Sequence, residues 1–257
     1  MRVPRPDAPS LAPTAFDTAR PGGEAGHTMT KQLVVTIDGP AGAGKSTVSR
    51  LLADRLDYRY IDTGALYRGV ALAAQRAAVA PEDDEGLETL CRDLDLHFVR
   101  ASSGGSRLHC GDEDIEDQIR TAEISMLASK VSARPVVRGF LLDVQRRLGR
   151  EGGAVFEGRD TGTVVFPGAD VKFFLDAPLA VRARRRHAEF EDRSGPSLEA
   201  VASDMRQRDH NDTSRAIAPL KAAEDAITID SSGLDPEGVV GRMLTIIERR
   251  QAAAHRQ

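Results

Sequence analysis

A glycine-rich segment that ends in a lysine and a serine is the part of this sequence best suited to chemistry. It reads Gly-Pro-Ala-Gly-Ala-Gly-Lys-Ser over residues 39–46 and fits the pattern G-x-x-x-x-G-K-S. Glycines let successive backbone N–H groups point into one concavity, where they can hold phosphate oxygens. Lys45 can reach the β- and γ-phosphates of a nucleoside triphosphate, and the Ser46 hydroxyl can coordinate Mg²⁺. The segment therefore predicts a phosphate-binding loop.

The sequence on either side of the loop predicts the two elements that hold it. An apolar, β-branched run at 33–37 predicts a strand, and a helical pattern with Val48 and Leu52 on one face follows at 47–56. A helix in this place turns its positive N-terminal end toward a bound phosphate. Strand, glycine loop and helix in this order are the context that a nucleotide-binding P-loop requires. We therefore predict that the following residues bind ATP: Gly39, Pro40, Ala41, Gly42, Ala43, Gly44, Lys45, Ser46 and Thr47.

Strand-like and helical patterns alternate along most of the chain. Further apolar runs at 58–61, 153–157, 171–175 and 226–230 predict strands, and helical patterns lie between them. This alternation predicts an α/β fold of the P-loop NTPase type, with a five-stranded parallel sheet and helices on both faces. Polar residues directly follow most of these runs. Ligands bind at the carboxyl ends of the strands in such sheets, so we expect an active site there.

The segment 81–135 interrupts the alternation. Residues 93–99 and 107–110 alternate with a period of two on either side of a turn at 103–106. This pattern predicts a small antiparallel hairpin inserted into the α/β order. Further helical patterns lie at 121–133, 136–150 and, rich in arginine, 179–189.

The composition excludes several broad classes of protein. The formal net charge of -4 gives no electrostatic reason to bind nucleic acid or a membrane surface. No apolar run approaches the length of a membrane-spanning helix. Cys91 and Cys110 form no CxxC pair and have no histidine at metal-binding spacing, as expected of reduced thiols in the cytoplasm. Residues 1–28 lack periodicity and a signal-peptide core, so we expect a disordered tail followed by a single domain at 29–257.

A second group of charged residues suits the binding of another phosphate. Arg68 lies shortly after one predicted strand end, and Arg159 directly follows another. On a helix, Arg208, Asp212 and Arg215 would be spaced i, i+4 and i+7 and would share one face. Two arginines on one face could clamp an anion between them. A charged helix face exposed to solvent is the alternative interpretation.

Motifs in four parts of the chain together resemble those of bacterial cytidylate kinases. They read IDGPAGAGKST from Ile37, YIDTGALYR from Tyr60, EGRDTGTVVFP from Glu157 and RAIAPL from Arg215. They occur in the family's order and at suitable spacing. The resemblance implies a P-loop nucleoside monophosphate kinase that uses ATP and Mg²⁺ to convert CMP or dCMP to the diphosphate. It also implies a monophosphate-binding insertion at about 63–150 and a short lid over ATP at about 178–196, and we expect a monomer.

The resemblance also implies roles for single residues. The matching positions hold the acceptor phosphate (Thr63, Arg68, Arg159 and Arg208), read the cytosine edge (Ser129, Arg138 and Asp160) and contact the ribose (Asp212 and Arg215). We expect Lys45, Arg159 and a lid arginine to act on the transferring phosphate. Among the lid residues Arg182, Arg184, Arg185 and Arg186, we select Arg182. One departure from the family pattern is Glu157, which stands where several relatives carry aspartate.

The cytosine assignment agrees with the chemistry of the base. Cytosine presents the N4 amino group as a donor beside the acceptors N3 and O2. A carboxylate such as Asp160 can accept from N4, and a guanidinium such as Arg138 can donate to N3 and O2. An ordinary salt bridge between the two residues is the alternative.

Other P-loop proteins fit the sequence less well. A GTPase needs N-K-x-D to read guanine, but the only asparagine is Asn211, which Asp212 follows directly. A motor or transport ATPase carries four apolar residues before an acidic strand end, and residues 154–157 match this pattern poorly. A kinase that acts on another pyrimidine monophosphate remains open.

Overall fold

The computed structural model describes residues 32–100, 105–190 and 195–254. The predicted tail at 1–28 lies outside the described residues. The strands of the described part are β1 (Val34–Asp38), β2 (Arg59–Asp62), β3 (Leu96–Arg100), β4 (Ser106–Cys110), β5 (Glu113–Asp114), β6 (Ala154–Gly158), β7 (Val171–Asp176) and β8 (Ile227–Asp230). The α-helices are α1 (Lys45–Leu56), α2 (Thr63–Arg76), α3 (Asp84–Asp93), α4 (Ala122–Val131), α5 (Pro135–Gly149), α6 (Leu179–Ala188), α7 (Leu198–Ser214) and α8 (Pro236–Ala254).

The main sheet has five parallel strands in the order β2-β6-β1-β7-β8. The predicted parallel sheet is confirmed, and each observed strand begins and ends within one residue of the predicted run. The central strand β1 lies between β6 and β7. Asp38 at its end is in register with Gly158 of β6, and Asp62 at the end of β2 is in register with Glu157. The sheet therefore brings these polar strand ends together at one edge.

Helices α1 and α8 cover one face of the main sheet. Val35 and Ile37 of β1 pack there with Leu52 of α1 and with Met243 and Ile247 of α8, and all five are buried. Burying a side chain of this size stabilises the fold by roughly 1.5–3 kcal/mol. This packing fixes the start of α1 at the end of β1, which leaves the intervening loop little freedom. Among the described helices, none combines the length and the apolar character that a membrane span requires.

The inserted region contains a second sheet. Strands β3, β4 and β5 pair antiparallel, with Leu96 in register with Cys110. The predicted hairpin is confirmed, although residues 103 and 104 of its predicted turn lie outside the described residues. Helices α4, α5 and α6 also occur where the sequence predicts helices.

Helix α3 is an element that our sequence analysis does not predict. Its start is capped by Asp83, whose side chain accepts a hydrogen bond from the Gly86 N–H at 2.9 Å. Its apolar face is narrow, because only Leu87 and Cys91 are buried. A capping aspartate followed by apolar residues at i+4 spacing is the signal that could have revealed this helix.

Candidate active site

A cavity of about 760 Å³ opens at the carboxyl ends of β1, β2 and β6. The predicted ATP residues 41–47 line one part of it, whereas Gly39 and Pro40 do not. Most of the predicted acceptor residues line the rest: Thr63, Arg68, Ser129, Arg159, Asp160, Arg208, Asp212 and Arg215. Arg138 and Arg182 do not line the cavity. The fold thus brings two groups of residues, distant in sequence, around a single space.

The glycine loop has the backbone geometry that its sequence predicts. Gly39 has φ +149°, and a Cβ atom there would lie 2.0 Å from the Leu175 carbonyl oxygen, so no side chain fits. Gly44 is the N-cap of α1 and is left-handed, with φ 89°. Glycine adopts this conformation without steric cost. The loop therefore turns into α1 with the free N–H groups of the helix start facing the cavity.

Lys45 is the first residue of α1, and only 4% of it is exposed. Its Nζ donates a hydrogen bond to the Pro40 carbonyl oxygen at 2.8 Å, which holds the side chain across the loop. Burial, followed by the positive charge of Arg159, lowers the pKa of Lys45 to about 7. An anionic phosphate beside the ammonium group would favour its charged form and raise this pKa again.

Glu157, near the end of β6, lies directly beside the loop. Its Oε1 accepts a hydrogen bond from Ser46 Oγ at 2.8 Å, and its Oε2 accepts one from the Tyr60 hydroxyl at 2.6 Å. Its backbone carbonyl accepts a hydrogen bond from Thr63 Oγ1 at 2.7 Å. Both side-chain oxygens are therefore fixed, and the Ser46 hydroxyl is oriented.

The donor atoms beside the loop fit Mg²⁺. This ion prefers oxygen ligands and is usually held by one or two protein groups together with substrate phosphates and water. Ser46 and Glu157 supply a hydroxyl and a carboxylate at the place where nucleotide phosphates would lie. In the described parts of the chain, no group of three or more His, Cys, Asp and Glu side chains could hold a metal ion by itself.

Asp38 ties the end of β1 to the turn that follows β6, which leads into a short π-helix at Thr161–Val165. Its Oδ1 accepts hydrogen bonds from the Thr161 N–H and the Thr161 hydroxyl at 2.9 and 2.7 Å, and its Oδ2 accepts one from the Gly162 N–H at 2.7 Å. Burial raises the pKa of Asp38, whereas these hydrogen bonds favour the carboxylate. The turn that carries Arg159 and Asp160 is thereby fastened next to the P-loop.

Asp160 and Arg138 form a buried ion pair, with Arg138 Nη2 donating to Asp160 Oδ2. Arg138 Nη1 also donates to the Ser132 carbonyl oxygen at 3.2 Å. Asp160 lines the cavity and Arg138 lies behind it, so the arginine holds the carboxylate by its inner oxygen. Burial raises the pKa of Asp160, while Arg138 and Arg215 act in the opposite direction. The arrangement presents an oriented acceptor to the cavity.

Three predicted phosphate ligands, Arg68, Arg159 and Arg208, line the cavity. Arg159 Nε donates to Asp212 Oδ2 at 2.8 Å, and Arg68 Nη2 donates to Asp62 Oδ2 at 2.8 Å. Arg208 has no ion-pair partner within the described residues. Of these three arginines, two are therefore oriented by carboxylates, and the charge of the third is left to a ligand.

The prediction that Arg208, Asp212 and Arg215 share one helix face is wrong for Arg215. Helix α7 ends at Ser214, and Arg215 has extended backbone angles of φ -64° and ψ 141°. Its Nε donates to the Ala218 carbonyl oxygen at 2.9 Å, and its Nη1 lies 3.8 Å from Asp212 Oδ1. The i, i+7 spacing cannot reveal where a helix ends, because the end of the helix depends on how the following chain returns to the rest of the fold.

The structure also places Arg182 differently from our expectation of an arginine that swings over the transferring phosphate. Only 5% of it is exposed, and all three guanidinium nitrogens have partners. Nε donates to the Ala177 carbonyl oxygen at 2.7 Å, Nη1 donates to that of Ala41 at 2.9 Å, and Nη2 lies 2.7 Å from Asp209 Oδ2. The face of helix α6 that carries Arg182 packs against α7. The helical period of the sequence does not determine which face of α6 packs there. The arginine thus clamps the P-loop to α7.

Three further arginines line the cavity. Arg120, which sequence reasoning missed, lies 3.1 Å from Asp62 Oδ2 and therefore shares this carboxylate with Arg68. Its only sequence signal is a basic residue after the hairpin. Arg185 donates to the Ser231 hydroxyl and carbonyl oxygens at 3.0 and 2.6 Å, and Arg186 pairs with Glu189. The predicted lid at 178–196 lies partly outside the described residues.

Comparison with known proteins agrees with this site. The cytidylate kinase family model matches residues 35–249. The chain is 52% identical to the cytidylate kinase of Geobacter sulfurreducens over 222 residues, which are 86% of this chain and 95% of the relative. It is 50% identical to that of a Geobacter species over 221 residues, 86% of this chain and 94% of the relative. It is 41% identical to that of Pasteurella multocida over 222 residues, 86% and 97% of the two chains. The chain therefore belongs to the cytidylate kinase family, whose members are nucleoside monophosphate kinases.

Proposed function

We propose that this protein transfers the γ-phosphoryl group of ATP to CMP or dCMP and forms the corresponding diphosphate. The observation that carries this proposal is the single cavity, in which a P-loop faces a group of arginines and a carboxylate held by Arg138. Relatives that are named cytidylate kinases support the choice of acceptor. We also propose that the enzyme acts in the cytoplasm, where its free thiols would stay reduced. Since one chain supplies every group in the cavity, we propose a monomer.

The donor nucleotide would bind along the P-loop and the start of α1. The loop N–H groups would hold the β-phosphate, and Lys45, fixed by the Pro40 carbonyl, would reach the transferring phosphate. Ser46 and Glu157 are the residues that would hold Mg²⁺. When bound, the ion would neutralise part of the negative charge of the nucleotide phosphates.

The acceptor phosphate would bind between Arg68, Arg159 and Arg208. Asp62 and Asp212 orient the first two, so these guanidinium groups are already aimed when the phosphate arrives. Preorganised charges of this kind stabilise the negative charge of the transferring group without reorganisation during the reaction. Phosphoryl transfer needs little more from the protein than position and charge.

The base would be read by the free edge of Asp160. Arg138 holds Oδ2, which leaves Oδ1 to accept from the cytosine N4 amino group. Ser129 of α4 lies on the same cavity and would complete the base contacts. Uracil carries an oxygen acceptor in place of the amino group, so it would meet a carboxylate without a proton between them. An unpaired buried polar group of this kind gives large discrimination between substrates.

An assay of ADP release across CMP, dCMP, UMP and AMP tests the proposal. We expect turnover with CMP and dCMP to exceed turnover with UMP and AMP. Lys45→Ala is the control for background ATP hydrolysis. A preference for AMP or for UMP over CMP would refute the proposed acceptor.

A further inference from the structure

Tyr60 is a buried polar residue beside the active site to which the proposed mechanism gives no part. Only 9% of it is exposed, and its hydroxyl donates to Glu157 Oε2 at 2.6 Å. The other carboxylate oxygen, Oε1, is 2.8 Å from the Ser46 hydroxyl that donates to it. Tyr60, Glu157 and Ser46 thus form a continuous chain of hydrogen bonds that ends at the predicted metal ligand.

The parallel sheet makes this chain possible. Tyr60 of β2 is in register with Val155 of β6, and Glu157 follows two residues later. Because side chains alternate between faces, Tyr60, Val155 and Glu157 lie on the same face of the sheet. That face is the one covered by α1, whose second residue is Ser46. The carboxylate of Glu157 therefore accepts one hydrogen bond from β2, through Tyr60, and one from α1, through Ser46.

The direction of the hydrogen bonds decides what the chain can do. A serine hydroxyl has one proton and two lone pairs. When the Ser46 hydroxyl donates its hydrogen bond to Glu157, its lone pairs remain available for a cation. Tyr60 donates to the other carboxylate oxygen, so Glu157 is held in the position in which it accepts the hydrogen bond from Ser46. Groups that orient a metal ligand in this way commonly change metal affinity by roughly 10–100-fold.

We propose that Tyr60 is a positioning residue for the Mg²⁺ of the bound nucleotide, which it acts on through Glu157 and Ser46. The inference rests on the proposed function, because it needs a nucleotide and its metal at the P-loop.

Tyr58 provides a matched control. Its half-buried hydroxyl also makes a hydrogen bond, accepting from the Leu33 N–H at 3.0 Å rather than donating to Glu157. Tyr60→Phe and Tyr58→Phe therefore each remove one hydroxyl from the same part of the fold. A merely structural role for Tyr60 would make the two variants alike in nucleotide binding.

The test is isothermal titration calorimetry of the full chain with ADP, once with excess Mg²⁺ and once with EDTA. The ratio of the two dissociation constants measures the contribution of the metal without any turnover. We expect Tyr60→Phe to lower this contribution about tenfold, the lower limit for such groups, and to leave binding in EDTA unchanged. Tyr58→Phe should keep the wild-type ratio.

A second measurement tests the route of the effect. If Tyr60 acts through Glu157, the double variant Tyr60→Phe/Glu157→Gln should lose no more metal contribution than Glu157→Gln alone. Additive losses would overturn the proposed route, and a wild-type ratio in Tyr60→Phe would overturn the inference itself. Failure of the wild-type protein to bind ADP at all would instead refute the proposed function.

Discussion

Replacing Asp160 by asparagine should weaken the preference for cytosine and strengthen the binding of uracil. Arg138 makes the outcome specific, because it donates to the inner oxygen of residue 160. An asparagine would keep its carbonyl oxygen toward Arg138 and turn its NH₂ group to the cavity. That NH₂ could not form a hydrogen bond with the N4 amino group of CMP, because both groups are donors, but it could donate to O4 of UMP.

The structure indicates how large the change should be. Asp160 is 6% exposed, so we expect little water to replace a lost partner there once a base fills the cavity. A good base-edge pair is worth roughly 1–3 kcal/mol of discrimination. The ratio of kcat/KM for CMP to that for UMP should therefore fall by roughly 5- to 150-fold. Most of the change should come from lower activity on CMP.

Steady-state kinetics of the wild type and of Asp160→Asn on both nucleotides give this ratio. Asp212→Asn is the matched control, since it also converts a cavity carboxylate paired with an arginine, here Arg159 at 2.8 Å. Any loss in this control should affect CMP and UMP equally. An unchanged ratio in Asp160→Asn would refute the reasoning and make Asp160 a structural partner of Arg138.

Four further predictions concern the cations around the cavity. Lys45→Ala should lower kcat on the order of 10²-fold or more with an unchanged circular dichroism spectrum, because it removes a charge from the transferring phosphate. The pKa of Lys45 is about 7, below its ordinary value, so Lys45 is neutral in about nine-tenths of the molecules at pH 8. A bound phosphate should recharge it, so ATP binding in EDTA should take up close to one proton per protein. Calorimetry in buffers of different ionisation enthalpy measures this uptake. Uptake should fade toward pH 6 and vanish in Lys45→Met, and uptake that persists in Lys45→Met would assign the proton to another group. Arg208→Ala should raise the KM for CMP by a factor that corresponds to the loss of one charged hydrogen bond, about 1.5–3 kcal/mol, and should change the KM for ATP far less. Equal effects on the two KM values would show that Arg208 is assigned to the wrong phosphate. Arg182→Ala should lower the free energy of unfolding by about 2–4 kcal/mol, because it leaves the Asp209 carboxylate and two carbonyl oxygens without their donor, whereas Arg184→Ala, on the exposed side of α6, should leave thermal denaturation unchanged.

The strands of the main sheet could be predicted closely because each is a short apolar run with polar residues at its carboxyl end. The P-loop was visible for a similar reason, since its glycines and Lys45 stand at fixed spacing between a strand and a helix. Helix α3 was missed because only Leu87 and Cys91 are buried on it, which gives too weak a period to recognise. The local pattern of apolar residues therefore identified those elements that bury a wide apolar face.

The site could be predicted only in part. Arg159 and Asp160 follow a strand end directly, so their place at the cavity was implied by the sheet. Arg182 belongs to a run of arginines with the same helical period, and nothing in that run tells which member faces the P-loop. The role of Tyr60 depends on its register with β6, a relation between strands that are far apart in the chain. Such pairings arise from the tertiary fold and leave no local trace.

The hydrogen bonds that Asp38 accepts also determine which parts of the enzyme can move. The P-loop begins at the next residue, and the turn that Asp38 holds carries Asp160, so the phosphate-binding and base-reading ends of the cavity floor are joined through one buried side chain. The amide hydrogens of Thr161 and Gly162 can exchange with solvent only when this joint opens, so their exchange rates report directly on the rigidity of the floor. We therefore expect entry and release of nucleotides to depend on motion of α4 and α7, which line the walls of the cavity. We accordingly expect that an inhibitor bridging the floor from the P-loop to Asp160 can be stiff, because the Asp38 hydrogen bonds hold the two ends of its site together.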